Sequence, residues 1–252
     1  MESKAKTIDE VLEQLDEIID DSAKNNDPFG FFAYIYRRTT AEIKQAILDK
    51  KFEDNARMEK FDVLFANKYL DAYRDFHSGK EVCSPWAAAF DVKKDKLTIL
   101  QHIILGMNAH INYDLGMSAA KFSEGGEIEN MKNDFMKVNN VLASLVDELQ
   151  VKVGRVSRLM FLLDWISKRN DEVVMNFSME KARKQAWNFA MALSTIEGQA
   201  KQAMIDEVDG IIGRLGETVK HPPGKILAYT LKVVSFFEEK DVRKIIEKLE
   251  SD

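Results

Sequence analysis

The chain has 252 residues, enough for one large domain or two small ones with a sizeable core. Its 42 acidic and 36 basic residues leave a net charge of −6, and no stretch concentrates Lys and Arg over several turns, so it carries no footprint for nucleic acid. Four prolines and twelve glycines argue against low complexity and against all-β structure, and the single cysteine, Cys83, excludes an intramolecular disulfide and fits a reducing compartment.

The opening residues, Met1-Glu2-Ser3-Lys4-Ala5-Lys6, are polar and lack the apolar core of a signal peptide. Thr7-Ile8-Asp9-Glu10 reads as a capping box in which Thr7 caps and Glu10 reaches back. Ile8, Val11, Leu12, Leu15, Ile18 and Ile19 then form one apolar stripe. Asn25-Asn26-Asp27-Pro28 stops that helix and starts the next, from Phe29 to about Asp49. A third is predicted from about Asp54 to His77, stopped by Gly79. Ser84-Pro85-Trp86 starts a short helix through Phe90, with Ser84 as its cap.

A central helix follows, from about Lys96 to Phe122 and ending before Gly125-Gly126. Further helices are predicted from Glu127 to about Val151, from Ser157 to Lys168, and from a Ser178 cap towards Thr195. The glycines at 198, 210, 213 and 216 leave open one loose helix or two as far as Val219. His221-Pro222-Pro223-Gly224 is a clear break, and two helices on either side of Lys240 close the chain. No strand-type alternation and no internal repeat is visible.

These elements predict an all-α fold, a bundle of about eight to ten helices around the buried helix near 96–122. Residues 1–252 read as a single domain, with 225–252 as an alternative appended helical pair. The longest uncharged stretch, Leu97–Tyr113, includes two histidines and falls short of the ~20 apolar residues of a membrane span. The expectation is a cytoplasmic protein without a membrane span.

The central helix is the informative element. Ile99, Leu100, Ile103, Ile104, Leu105, Met107, Ile111, Leu115 and Met117 are there to be buried, yet its middle carries His102, Asn108, His110, Asn112, Tyr113 and Asp114. Buried polar groups cost stability unless paired, so this is either a satisfied polar core or a site. At about 100° per residue His102, His110, Tyr113 and Asp114 share one arc, with Gly106 leaving room beside them, while Gln101, Asn108 and Asn112 lie roughly opposite. His110 and Asp114, one turn apart, could reach one metal ion or substrate, or Asp114 could hold the His110 ring in one tautomer for acid/base work.

Partners can come from other helices. Asp62, with Glu59 three residues before it, could supply a second carboxylate. Arg183 and Trp187, at i and i+4, could stack, or Arg183 could bind an anionic substrate or Asp114. Asp164-Trp165 is a weaker polar intrusion in the apolar run Leu159–Ile166.

The run Leu105-Gly106-Met107-Asn108-Ala109-His110-Ile111-Asn112-Tyr113-Asp114-Leu115 resembles the hallmark block L-G-I-N-A-H-I-N-Y-D-L of a bacterial family carrying a domain of unknown function. Looser elements agree with it: Phe52-Glu53-Asp54, Met58-Glu59, Phe65-Ala66-Asn67-Lys68-Tyr69, Ser84-Pro85-Trp86 and Arg183–Trp187. The likeness covers roughly residues 28 to 195, and Met107 stands where the family has isoleucine. It implies an all-helical fold and a site around the central block. It implies no activity.

Two functional readings stay open. One is a metal-dependent or acid/base enzyme acting on a small molecule, with His110, Asp114, Asn108 and Asn112 in catalytic roles, and His102, Tyr113, Asp62, Glu59, Arg183 and Trp187 binding the ligand. In a metal version His110 and Asp114 would hold a divalent ion such as Zn, Mn or Fe. The other is a ligand-binding or scaffold protein whose polar core is structural.

Overall fold

A computed structural model describes residues 4–92, 95–124, 128–157 and 179–251. Helices α1 (Ile8–Asn25), α2 (Phe29–Leu48) and α3 (Asn55–His77) come first, followed by the short α4 (Ser84–Phe90). The central helix is built from α5 (Ile99–Met107), a π-helical segment (Asn108–Asp114) and α6 (Leu115–Phe122). A 3₁₀ turn (Ile128–Met131), α7 (Lys132–Ala143), α8 (Val146–Val156), α9 (Met179–Ser194), α10 (Gly198–Lys220), α11 (Lys225–Phe237) and α12 (Val242–Glu250) complete the chain.

With the central helix counted once, the described residues form eleven α-helices and no strand, one more than the upper end expected. The helix predicted over 127–151 is broken. Ser144 and Leu145 separate α7 from α8, with Leu145 buried in the core and Ser144 Oγ donating back to Val141 O. The glycine-rich interval 198–220 is one helix. The predicted Ser157–Lys168 helix, the Asp164-Trp165 pair and the Ser178 cap fall outside the described residues, apart from Ser157, which closes α8.

Local signals set most helix ends. Thr7 Oγ1 accepts from Glu10 N, but Glu10 reaches one residue further back than a capping box requires and accepts from Lys6 N at 2.7 Å. Asn26, in the left-handed region, ends α1, and Asp27 Oδ1 accepts from Phe29 N. Gly79, at φ 73, lets Lys80 N and Gly79 N return to the carbonyls of Asp75 and Phe76. The central helix opens at Ile99, three residues later than about Lys96 would give, behind Thr98 as its cap. Thr98 and Gln101 form a complete capping box there.

Ser84 does not cap α4. Cys83 precedes the helix, and the Ser84 N–H and hydroxyl both donate to Asp209 on α10. Gly213 and Gly216 bring α10 this close, since a Cβ on either would sit 2.7 Å from Ser84 or 2.8 Å from Ala88. Phe52-Glu53-Asp54 is pinned similarly. The fully buried Asp134 accepts from the backbone N–H groups of Glu53 and Asp54 and from Arg57.

Two apolar clusters flank the central helix. One joins α1, α2, α3, α4 and α5 around Leu15, Ile18, Tyr69, Trp86 and Leu105. The other joins α3, α6, α7 and α9 around Phe61, Leu115, Phe135 and Trp187. The last two helices are tied to this body. Tyr34 Oη donates to Leu249 O, Val242 N donates to Asn26 Oδ1, and buried Glu238 accepts from Ile99 N and Ser157 Oγ. Among the described residues no helix is long and apolar enough to cross a membrane.

Candidate functional site

The polar block coincides with the π-helical segment. Leu115 N donates to His110 O, five residues back, so the turn is wider than an α-turn. Such insertions recur at functional sites because they turn side chains off the regular faces of a helix. The faces drawn at 100° per residue therefore hold only in part.

His110 is 2% exposed. Its Nδ1 lies 3.3 Å from Asp114 Oδ2, and the same oxygen accepts from Trp86 Nε1 at 2.8 Å. Burial holds His110 below the ordinary histidine range despite the opposing pull of Asp114, so the ring is neutral at pH 7. Its Nδ1 faces a carboxylate oxygen, which places the proton on Nδ1 and the lone pair on Nε2. Nε2 is buried and has no hydrogen-bond partner.

The ring sits in an aromatic cage contributed by α2, α3 and α4. Phe65 stacks on it with centroids 3.8 Å apart and planes 10° from parallel. Tyr36 meets it edge-on at 4.4 Å, and Phe32, Tyr69 and Trp86 stand at 5.9–6.2 Å. Gly106 admits Phe32, since a Cβ there would lie 2.3 Å from the Phe32 ring. The space expected beside Gly106 is thus occupied by protein.

Beyond His110 lies an open cavity of about 710 Å³, lined by α2, α3, the central helix, α7, α8 and α9. Its wall is mostly apolar: Ile35, Ile43, Phe65, Ile103, Met107, Leu142 and Val153. Its polar lining includes His110, Tyr36, Asp62, Asn139 and Arg183, with Glu180 as a further, exposed carboxylate. Asp62 is 4% exposed, its Oδ2 has no partner, and burial raises it to about 7 against the pull of Arg183. Arg183 is 5% exposed, and burial lowers it to about 10 with Asp62 opposing.

The remaining expected residues lie elsewhere. Asn112 Nδ2 donates to Asn108 Oδ1, and Asn108 Nδ2 donates to Ile212 O, so this pair ties the π segment to α10. Gln101 does the same one step earlier, donating to Val219 O. Tyr113 is buried, and burial first, with the nearby Cys83, Asp209, Asp114 and Asp206, raises its hydroxyl above the ordinary range. His102 lies in a separate cavity lined by Phe31, Lys220, Glu238 and Lys240, where burial lowers it to about 4. Glu59 does not line the His110 cavity and acts on it only as a charge that raises Asp62. Trp187 is buried against Phe135, and the Arg183 guanidinium lies over that same Phe135 ring, 4.5 Å from its centroid, rather than over the indole.

Tyr36 and Asn139 line the same cavity and are not among the residues the sequence singles out, while Phe65 enters only through the Phe65-Ala66-Asn67-Lys68-Tyr69 element. Tyr36 sits in the aromatic run Phe29–Tyr36, which carries no polar marker. Burial pushes the Cys83 thiol up to about 12, which suits an inert cysteine.

Among the described residues no group of three or more His, Cys, Asp or Glu side chains could hold a metal ion. Asp114 faces Nδ1, the place of a residue that orients the ring, rather than that of a co-ligand beside Nε2.

No curated protein and no solved structure matches the chain. A family model described as a family of unknown function, DUF5995, matches residues 8–222, which include every helix that builds the cavity and leave out the last two. The chain belongs to this family of unknown function, DUF5995.

Proposed function

We propose that the chain binds a small, largely apolar molecule in the cavity beside His110 and acts on it by proton transfer. The observation that carries this reading is the unpartnered Nε2 of a neutral, buried imidazole whose other nitrogen is held by Asp114. A buried polar atom left unsatisfied is rare and calls for a partner. A ligand O–H, N–H or acidic C–H supplies one. Asp114, fixed by Trp86, keeps Nδ1 protonated and Nε2 available as a base, and it stabilises the imidazolium once the proton has moved.

Asp62 is the complementary group. With a value near 7 it can deliver a proton at neutral pH, so one cavity holds a base and an acid in environments that push them in opposite directions. Asn108 and Asn112, bonded to each other and to α10, hold the π segment in place rather than touch the ligand. The cavity volume falls within the ~300–1,000 Å³ range of small-molecule sites.

A fragment screen by thermal shift on the wild type and on His110→Gln tests the reading. Fragments that stabilise the wild type should lose their effect in the variant, whose own stability should stay within about 1 kcal/mol. Bound fragments with exchangeable C–H groups should take up deuterium from D₂O in the wild type alone. Absence of any stabilising fragment, together with a variant weakened by several kcal/mol, would make the His110 cluster a structural polar core.

A further inference from the structure

Arg183 carries the chemistry of the ligand further. Its guanidinium is buried, with Nε donating to Asn139 Oδ1 at 2.7 Å and Nη2 donating to Phe135 O at 2.6 Å. Both partners are neutral. Among the described residues Arg183 makes no ion pair, and Asp62 acts on it from beyond contact distance. Among the described residues Nη1 makes no hydrogen bond. An arginine this deep is almost never left without an anion, because removing the charge from water costs several kcal/mol.

The same cavity limits what that anion can be. Arg183 is the one permanent cation on its wall among the described residues, and no lysine lines it. A single guanidinium balances one negative charge. Asp62 and the exposed Glu180, both on the same wall, would repel a dianion such as a phosphate monoester. The remaining surface, with Ile43, Phe65 and Leu142, suits hydrocarbon.

Resting on the reading of this cavity as a ligand site, we propose that its ligand is a monocarboxylic acid with an apolar body, paired through its carboxylate with Arg183 Nη1. The body lies along the apolar wall towards His110. Nε and Nη2, already bonded, keep the guanidinium plane fixed, so the free edge is preset for one carboxylate.

Titration calorimetry of the full chain with dodecanoate, dodecan-1-ol and dodecyl phosphate, each below its micellar concentration, decides the point. Dodecanoate should bind with one-to-one stoichiometry and at least about tenfold tighter than the alcohol or the phosphate. Arg183→Gln should weaken dodecanoate about 10- to 100-fold and leave the alcohol unchanged. Arg183→Lys, which keeps the charge but not the fork, should fall between them and carries the test if the glutamine variant does not fold. Equal binding of acid and alcohol would overturn the carboxylate assignment while leaving the proton-transfer reading untouched. Tighter binding of the phosphate, or no binding of any of the three, would also overturn it.

Discussion

Trp86 and Asp114, 28 residues apart in sequence, meet through a buried hydrogen bond of 2.8 Å from the indole Nε1 to Oδ2, the oxygen that also faces His110. The bond couples α4 to the end of the π segment and makes Trp86 a positioning residue for the imidazole. Trp86→Phe keeps most of the apolar volume and removes the donor. It should cost about 1–3 kcal/mol, because the buried carboxylate loses a partner. With its charge less compensated, Asp114 should also raise the His110 value, visible by NMR titration of the ring. An unmoved His110 titration would show that the indole does not control the pair.

The response of stability to pH follows from two buried groups, His110 and Asp62, and the half-buried His102. Burial lowers His102 to about 4 and lowers His110 from 6.5, so the unfolded chain binds more protons just below pH 6.5. Their contribution is full above about 6.5 and declines below it, that of His102 being lost as the pH falls through about 4. Asp62 works in reverse. Burial raises it from 3.8 to about 7, so its contribution is present below 3.8 and is lost as the pH rises through 7. Asp62→Asn should therefore exceed the wild type by about 2–4 kcal/mol at pH 8 and by far less at pH 4.5, measured by urea denaturation. Parallel pH curves for the two proteins would mean that Asp62 ionises normally.

Gly106 in α5 faces the Phe32 ring. A helix-interior Gly→Ala change ordinarily adds about 1 kcal/mol of stability. Here the added Cβ would lie 2.3 Å from the ring, so Gly106→Ala should destabilise by about 1–3 kcal/mol and disturb the cage around His110. A rise in melting temperature would show that Phe32 yields without cost.

Asn108 and Asn112 separate fold from function. Asn108→Ala removes the donor to Ile212 O and strands Asn112, at a cost of about 1–3 kcal/mol. Ligand binding beside His110 should be retained at temperatures where the variant is folded. Loss of binding in a fully folded variant would return the asparagines to the site.

The helices were legible because the determining signals are local. Thr7, Asn26 and Gly79 set their helix ends from a few residues' chemistry, and the apolar stripe of α1 needs one buried side. The His110–Asp114 contact was also legible, since a separation of four residues brings two side chains together on one helix.

What surrounds that pair was not. A π turn depends on packing that no residue pattern within the helix announces, and it changed which polar groups share a face. Trp86, Phe65 and Arg183 reach the site from α4, α3 and α9, and their approach depends on which helices pack together. The sequence alone determined an all-helical chain with an unusual polar centre. Only the tertiary structure decided that Asn108 and Asn112 are tied to α10 while His110, Asp62 and Arg183 share a cavity, because long-range packing selects the partners that local spacing leaves open.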